Sequence, residues 1–303
     1  MELIRPDTRY NFIGKKKFTI WVSTVAILLS IGSIVYHGGL RYGVDFAGGI
    51  LLQIKFSKTL EISDVRSAME AIGSKDANVQ KFGGENEFLI RIEKSSEDLE
   101  AMSRKIQASL QEQFKDKALE IRRAEVVGPK VGKDLKEKAI LAIVLSFLSI
   151  LVYVAFRFRQ FSYGLGGIVA LIHDIIITFG AISILDLEFS LPLLAVILTI
   201  IGFSINDTIV IFDRVRENIK KMRKEKLETI FNVSVNETLG RTILTSGTVM
   251  MVILVLFFLG GPVIHDFTSA LIIGLVSGTY STVYIASPIV LFWHKHVTLK
   301  RKK

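Results

Sequence analysis

Residues 201–218 read IGFSINDTIVIFDRVREN. The first dozen belong to an apolar run long enough to cross a bilayer, yet Asn206, Asp207 and Thr208 lie inside it, and Asp213, Arg214 and Arg216 follow. An ionisable side chain at the centre of a membrane helix costs about 2.5–3.5 kcal/mol on insertion scales. Such a group therefore faces a bundle interior, finds a partner, or marks an ion pathway. Asp207 precedes Asp213 by six residues, about 9 Å along a helix, which sets it in the membrane half nearest the charged end.

Working outward, six apolar runs are readable at 18–36, 139–156, 163–185, 191–212, 242–259 and 267–292. Each approaches the ~20 residues needed to cross a hydrocarbon core of about 30 Å. The composition agrees, because half of the 303 residues are hydrophobic. There is no cysteine, which excludes disulfides and thiolate metal sites. Lys15, Lys16 and Lys17 before the first run resemble the start of a signal peptide. The run is longer than a signal core, however, and SIVYHGGLRYG after it lacks a small-x-small cleavage site, so an uncleaved anchor is expected.

Basic residues cluster in the N-terminal arm (Arg5, Arg9, Lys15–Lys17), at Arg157 and Arg159, over 214–226, and in the tail at Lys295 and 300–303. The connections 186–190 and 260–266 contain neither Lys nor Arg. The positive-inside rule thus predicts both termini in the cytoplasm. The net charge of +9 reads as topology and contact with anionic head groups, so no nucleic-acid partner is needed. The expected organisation is a cytoplasmic arm (1–17), a first span (18–36), a large external loop (37–138), five further spans (139–292) with an amphipathic cytoplasmic loop at 213–241, and a basic tail (293–303).

The external loop holds 18 Lys and Arg against 17 Asp and Glu, the balance of a water-soluble domain. Strand patterns at 50–56, 78–82, 87–93 and 119–128 alternate with helix patterns at 61–73 and 95–114. Gly73 reads as a helix stop, Ser95 or Ser96 as a helix start, and 83–86 as a turn. The order β-α-β-β-α-β is the ferredoxin-like arrangement. No catalytic constellation is visible in it, and an interaction or substrate-handling role is the simpler reading. YGVDFAGG (42–49) precedes the first strand; Gly43, Gly48 and Gly49 permit tight backbone, Asp45 can accept from nearby amides and Phe46 would pack inward, a structural link between helix and domain.

Two further membrane sites stand beside Asp207. Arg241 lies at a similar depth if the fifth helix starts near Asn236, so the pair is either a structural ion pair or a switch in which separation lets the carboxylate take up a proton. His173 and Asp174 fall midway along the third run, about 100° apart around the helix, and read as a functional unit or as interhelical hydrogen bonding. Asp213, Arg214 and Arg216 suit interface anchors. Gly202, Gly164, Gly167, Ser246 with Gly247, and Gly274-x-x-x-Gly278 with Ser277 and Ser281 are candidate close-packing points.

Four segments in this order, YGVDFAGG (42–49), VVGPKVGKDL (126–135), GFSINDTIVIFDRVREN (202–218) and LGRTILTSGT (239–248), resemble the SecF family of protein-export membrane subunits, within the RND-type superfamily. The resemblance implies an all-α bundle of six transmembrane helices, half of an RND-type unit, with a ferredoxin-like periplasmic domain that supports a larger SecD domain. It implies pairing with SecD and coupling of the proton-motive force to late steps of polypeptide translocation across the bacterial inner membrane. The implied partners are the SecYEG translocon, YajC and, indirectly, the motor SecA. The implied proton path contains Asp207 and Arg241, flanked by Asn206 and Thr208, with protons as the coupling ion and no other cofactor, metal or hydrolytic chemistry; no role carries over to His173 or Asp174. The alternative is half of another RND-type proton-driven exporter. An intramembrane aspartyl protease using Asp174 and Asp207 fits poorly, because HDII and INDT lack the Gly-x-Gly-Asp pattern.

Overall fold

The computed structural model describes residues 10–74, 77–84, 86–92, 99–115, 118–158 and 160–295. The expected Ser95–Ser96 helix start, Arg5, Arg9, Arg159 and the end of the basic tail lie outside these residues. In chain order the elements are α1 (Lys16–Tyr36), α2 (Val44–Ala47), β1 (Gly49–Phe56), α3 (Ile62–Ala71), β2 (Asn78–Lys81), β3 (Glu87–Ile92), α4 (Leu99–Gln113) and β4 (Leu119–Val127). There follow α5 (Pro129–Phe158), α6 (Phe161–Ile184), α7 (Leu191–Lys221), α8 (Leu227–Leu259), α9 (Pro262–Ser281), a π-helical turn (Thr282–Ala286) and α10 (Ser287–Trp293). The chain divides into a unit of Arg41–Leu141 with Glu188–Leu191, and a unit formed by the rest.

In the smaller unit the four strands form one sheet in the order β2-β3-β1-β4, each neighbour antiparallel. This is the ferredoxin-like topology. Alternation decides its layers: Ile50, Leu52, Ile54 and Phe56 of β1 and Phe88, Ile90 and Ile92 of β3 meet Val65 and Met69 of α3 and Ile106 and Leu110 of α4 in one buried core. The other sheet face carries polar side chains beside Leu51 and Leu89. Gln53 donates to Glu87 at 2.6 Å, and Arg91 forms an ion pair with Glu188. As expected, α3 stops before Gly73, whose φ of +87° suits glycine.

Among the described residues, six helical stretches are long and apolar enough to cross a membrane, namely Ile13–Tyr36, Pro129–Phe158, Phe161–Ile184, Leu191–Lys221, Leu227–Leu259 and Ile264–Trp293. They extend beyond the apolar runs. The loop expected over 213–241 is instead the end of α7 and the start of α8, joined across 222–226. Hydropathy ends at the first charges, but helical hydrogen bonding does not, and polar pairs between helices sustain it here. Asp213 accepts from Arg157 of α5 at 2.5 Å, and Arg214 donates to Glu237 at 2.7 Å. Asn218 donates to Ser234 and Glu237 of α8 at 3.0 and 2.6 Å. Asp213, Arg214 and Arg216, read from the sequence as interface anchors, also form ion pairs between and along helices.

The start of the described chain docks on the same extension of α8. Asn232 Oδ1 accepts from the amides of Phe12 and Ile13, and Asn232 and Asn236 both donate to the carbonyl of Tyr10 at 2.9 Å. Lys16 pairs with Glu228 at 2.6 Å.

Candidate functional site

The polar core of the bundle forms where α6, α7 and α9 cross. α6 carries His173 and Asp174 side by side, and the side chain of Asp174 is wholly buried. Ser204 of α7 donates to its Oδ2 at 2.7 Å, and Ser281, the last residue of α9, donates to the same oxygen at 2.7 Å. Ser277 donates to Oδ1 at 2.7 Å. His173 Nδ1 lies 3.0 Å from Oδ1 and donates there when that nitrogen carries the proton. Each carboxylate oxygen thus has two polar neighbours, a donor set suited to a charged acceptor. The interhelical hydrogen bonds expected of this pair are present at Asp174, and His173 and Asp174 lie within hydrogen-bond distance despite their angular separation. The ring of His173 stacks at 6.1 Å on Tyr280 and lines an apolar groove of about 380 Å³ with Ile20, Ser23 and Tyr284.

The serines reach Asp174 because α9 comes close to α7. A Cβ at Gly278 would lie 3.1 Å from the Cβ of Ser204, so this position excludes a larger residue without a shift. The Gly274-x-x-x-Gly278 pattern therefore packs as expected, and Ser277 and Ser281 are ligands of Asp174 as well as small residues. By contrast, Gly202 meets nothing within 4 Å, so its expected packing role inside this chain is not found. Beyond Ser281 the helix widens into the π-helical turn, a distortion that recurs at functional sites. Thr282 of that turn lies 3.1 Å from Thr208 of α7, oxygen to oxygen.

Asp207 follows Ser204 by one turn on α7 and is also buried. Its surroundings differ. Oδ2 has no hydrogen-bond partner among the described residues. Arg241 and Ser246 of α8 are the groups that act on the carboxylate, Arg241 through space, without a closed ion pair among the described residues. Thr208 is buried within the core, whereas Asn206 and Arg241 are exposed on the surface of the isolated chain. Neither Asn206 nor Thr208 hydrogen-bonds Asp207, and the hydroxyl of Ser204, one turn before it, donates to Asp174 instead.

The glycine motif lies in the smaller unit. Gly43 donates to the carbonyl of Phe189 at 2.9 Å, and Phe46 stacks on Phe189 at 5.4 Å. Asp45 Oδ2 accepts from the amide of Leu191 at 2.8 Å, satisfying one of the free N–H groups at the start of α7. Gly48 takes φ of +79°, and a Cβ there would sit 3.1 Å from Pro129 Cα. The motif is thus a backbone lock that fastens the first strand, the start of α5 and the segment entering α7.

Six apolar helices, a ferredoxin-like domain inserted between the first and second, and two carboxylates buried in the bundle define a multi-pass membrane protein that carries ionisable groups within the bilayer. Comparison with known proteins narrows this class. The family described as protein export membrane protein SecD/SecF, C-terminal, matches residues 105–296, and the SecD/SecF GG motif matches residues 35–60. The protein translocase subunit SecF of Endomicrobium trichonymphae is 41% identical over 93% of this chain and 91% of its own length. That of Magnetococcus marinus is 42% identical over 96% of this chain and 94% of its own. The crystal structure of SecDF from Thermus, a translocon-associated membrane protein, superposes with a TM-score of 0.85 at 35% identity; it covers 97% of this chain, which spans 40% of that longer protein. The chain belongs to the SecD/SecF family.

Proposed function

We propose that this chain is the SecF-type subunit of the Sec protein translocase, working with a SecD-type bundle to draw on the proton-motive force during late steps of polypeptide export. One observation carries the proton role. Asp207 is buried with a carboxylate oxygen that has no partner among the described residues, and Arg241 acts on it through space without a closed ion pair among them. An ionised Asp207 attracts Arg241, and a protonated one releases it, so proton uptake biases the packing of α7 against α8. One charge crossing 100 mV supplies about 2.3 kcal/mol, enough to shift a two-state equilibrium roughly 50-fold.

The partner reading rests on a second observation. Gly202, Asn206 and Arg241 are exposed in the isolated chain. Polar groups facing lipid are costly, and a second bundle lying over this face removes that cost. The Thermus SecDF is long enough to supply such a bundle within one chain. SecYEG, YajC and, indirectly, SecA complete the assembly around the moving polypeptide. The distribution of Lys and Arg favours an inner-membrane topology with both termini cytoplasmic. The chain acts as a translocase accessory subunit without hydrolytic chemistry of its own.

The test is Asp207→Asn in the complex with its SecD-type partner, in inverted membrane vesicles. The variant complex should be recovered in normal amount while the stimulation of preprotein translocation by the proton gradient disappears. Normal stimulation would overturn the proton role.

A further inference from the structure

Asp174 has no part in the mechanism just described, although among the described residues it is the most completely enclosed carboxylate of the membrane unit. Its ligands show what it does to its surroundings. Ser204 lies on α7, three residues before Asp207, and its hydroxyl ends on Asp174 Oδ2. Ser281, on the same oxygen, is the last residue before the π-helical turn. Ser277, one turn earlier on α9, holds Oδ1. A single carboxylate therefore ties the turn of α7 that presents Asp207 to the end of α9 and to α6. Thr208 and Thr282, 3.1 Å apart, make a second tie between the same two helices on the far side of Ser204.

We propose that Asp174 is a positioning residue for Asp207: acting through Ser204, it fixes where α7 presents the proton-binding carboxylate relative to α8. The proposal rests on the proton role of Asp207. Among the described residues, the titratable groups near Asp174 are His173 and, beyond it, Tyr280, while α7 and the rest of α9 present hydroxyls. The charged group facing Asp207 is Arg241 of α8. If Ser204 is released, α7 is free to turn or slide by a fraction of an ångström, and the distance from Asp207 to Arg241 changes. The substitution then changes the proton affinity of Asp207 without touching it.

The experiment measures gradient-stimulated preprotein translocation against pH in vesicles carrying the complex with its SecD-type partner. The variants are Asp174→Asn, Ser204→Ala, their combination, and Asp207→Asn. Asp174→Asn and Ser204→Ala should each lower stimulation about tenfold, as sub-ångström misplacement of a reacting group does. Each should also move the midpoint of the pH profile by at least about half a unit, a change that a purely structural weakening does not produce. The combination should be no worse than the more severe single change, because both break one link. An unmoved midpoint in Ser204→Ala, or effects that simply add, overturns the proposal. Should Asp174→Asn fail to accumulate, Ser204→Ala, which removes one hydroxyl, decides alone. Retained stimulation in Asp207→Asn instead overturns the proton role itself, so the two failures are distinguishable.

Discussion

Asp174 and Asp207 are both buried carboxylates in the membrane unit, on neighbouring helices, and the protein treats them in opposite ways. Asp174 has two polar neighbours on each oxygen, drawn from three helices. Asp207 has an oxygen with no partner among the described residues and a guanidinium at a distance. An unmet hydrogen bond on a buried polar group costs about 1–3 kcal/mol, and more on a charged one. An unsatisfied carboxylate gains by binding a proton, by closing on Arg241, or by meeting a partner helix. Burial alone therefore does not tell the two carboxylates apart; the completeness of their hydrogen bonding does.

The contrast is broken most directly by exchanging which property fails. Asp207→Asn should produce the largest functional effect, a fall of gradient-stimulated export to its level without a gradient. The melting temperature of the detergent-solubilised complex should stay level or rise, because a poorly paired buried charge has been removed. Asp174→Ala should do the reverse to stability. It strands the serine hydroxyls and His173, and breaking a buried charged network from one side costs about 3–5 kcal/mol. Thermal unfolding of the two variants side by side is the check, and equal melting temperatures would remove the distinction.

A smaller effect is expected at the helix crossing that makes the satisfied site possible. Gly278→Val places new methyl groups where even a Cβ lies 3.1 Å from Ser204. Overpacking of this kind costs about 1–3 kcal/mol. The displacement falls on Ser204, so the complex should lose gradient stimulation as well as thermal stability. A variant that melts earlier yet keeps full stimulation would show that the approach of α9 to α7 matters for packing only.

Much of this was legible in the sequence, and the losses follow a rule. The six spans, the order of the ferredoxin-like domain and the helix stop at Gly73 are written in local periodicity and turn chemistry. Asp207 stood out because a carboxylate in an apolar run has few explanations. Asp174 stood out less, and its satisfaction was invisible. Its serine donors lie 30, 103 and 107 residues away, and serine on a membrane helix also suits simple close packing. The cytoplasmic loop expected over 213–241 failed for another reason. Hydropathy marks where the bilayer ends, whereas Arg214, Glu237 and Asn218 carry both helices past that point through contacts between them. The docking of Tyr10, Phe12 and Ile13 on Asn232 and Asn236 joins residues more than 200 positions apart, and no local signal announces it.

A third carboxylate tests whether hydrogen-bond count ranks all of them. Asp45, in the glycine motif, is half-buried and accepts one amide, that of Leu191 at the first turn of α7. Among the described residues it has no serine cradle and no buried oxygen left without a partner. Asp45→Ala should therefore cost only about 0.5–2 kcal/mol, the range for losing a helix cap. Asp45→Asn should recover most of this, since asparagine caps nearly as well. It should still lack the charge's attraction to the helix N-terminus, about 0.3–1 kcal/mol at low ionic strength and less in salt. Hydrogen exchange at the Leu191 amide reads the cap directly, with protection ordered wild type, Asp45→Asn, Asp45→Ala. A loss for Asp45→Ala as large as that for Asp174→Ala would mean that position in the fold, rather than the number of donors, sets what each carboxylate contributes.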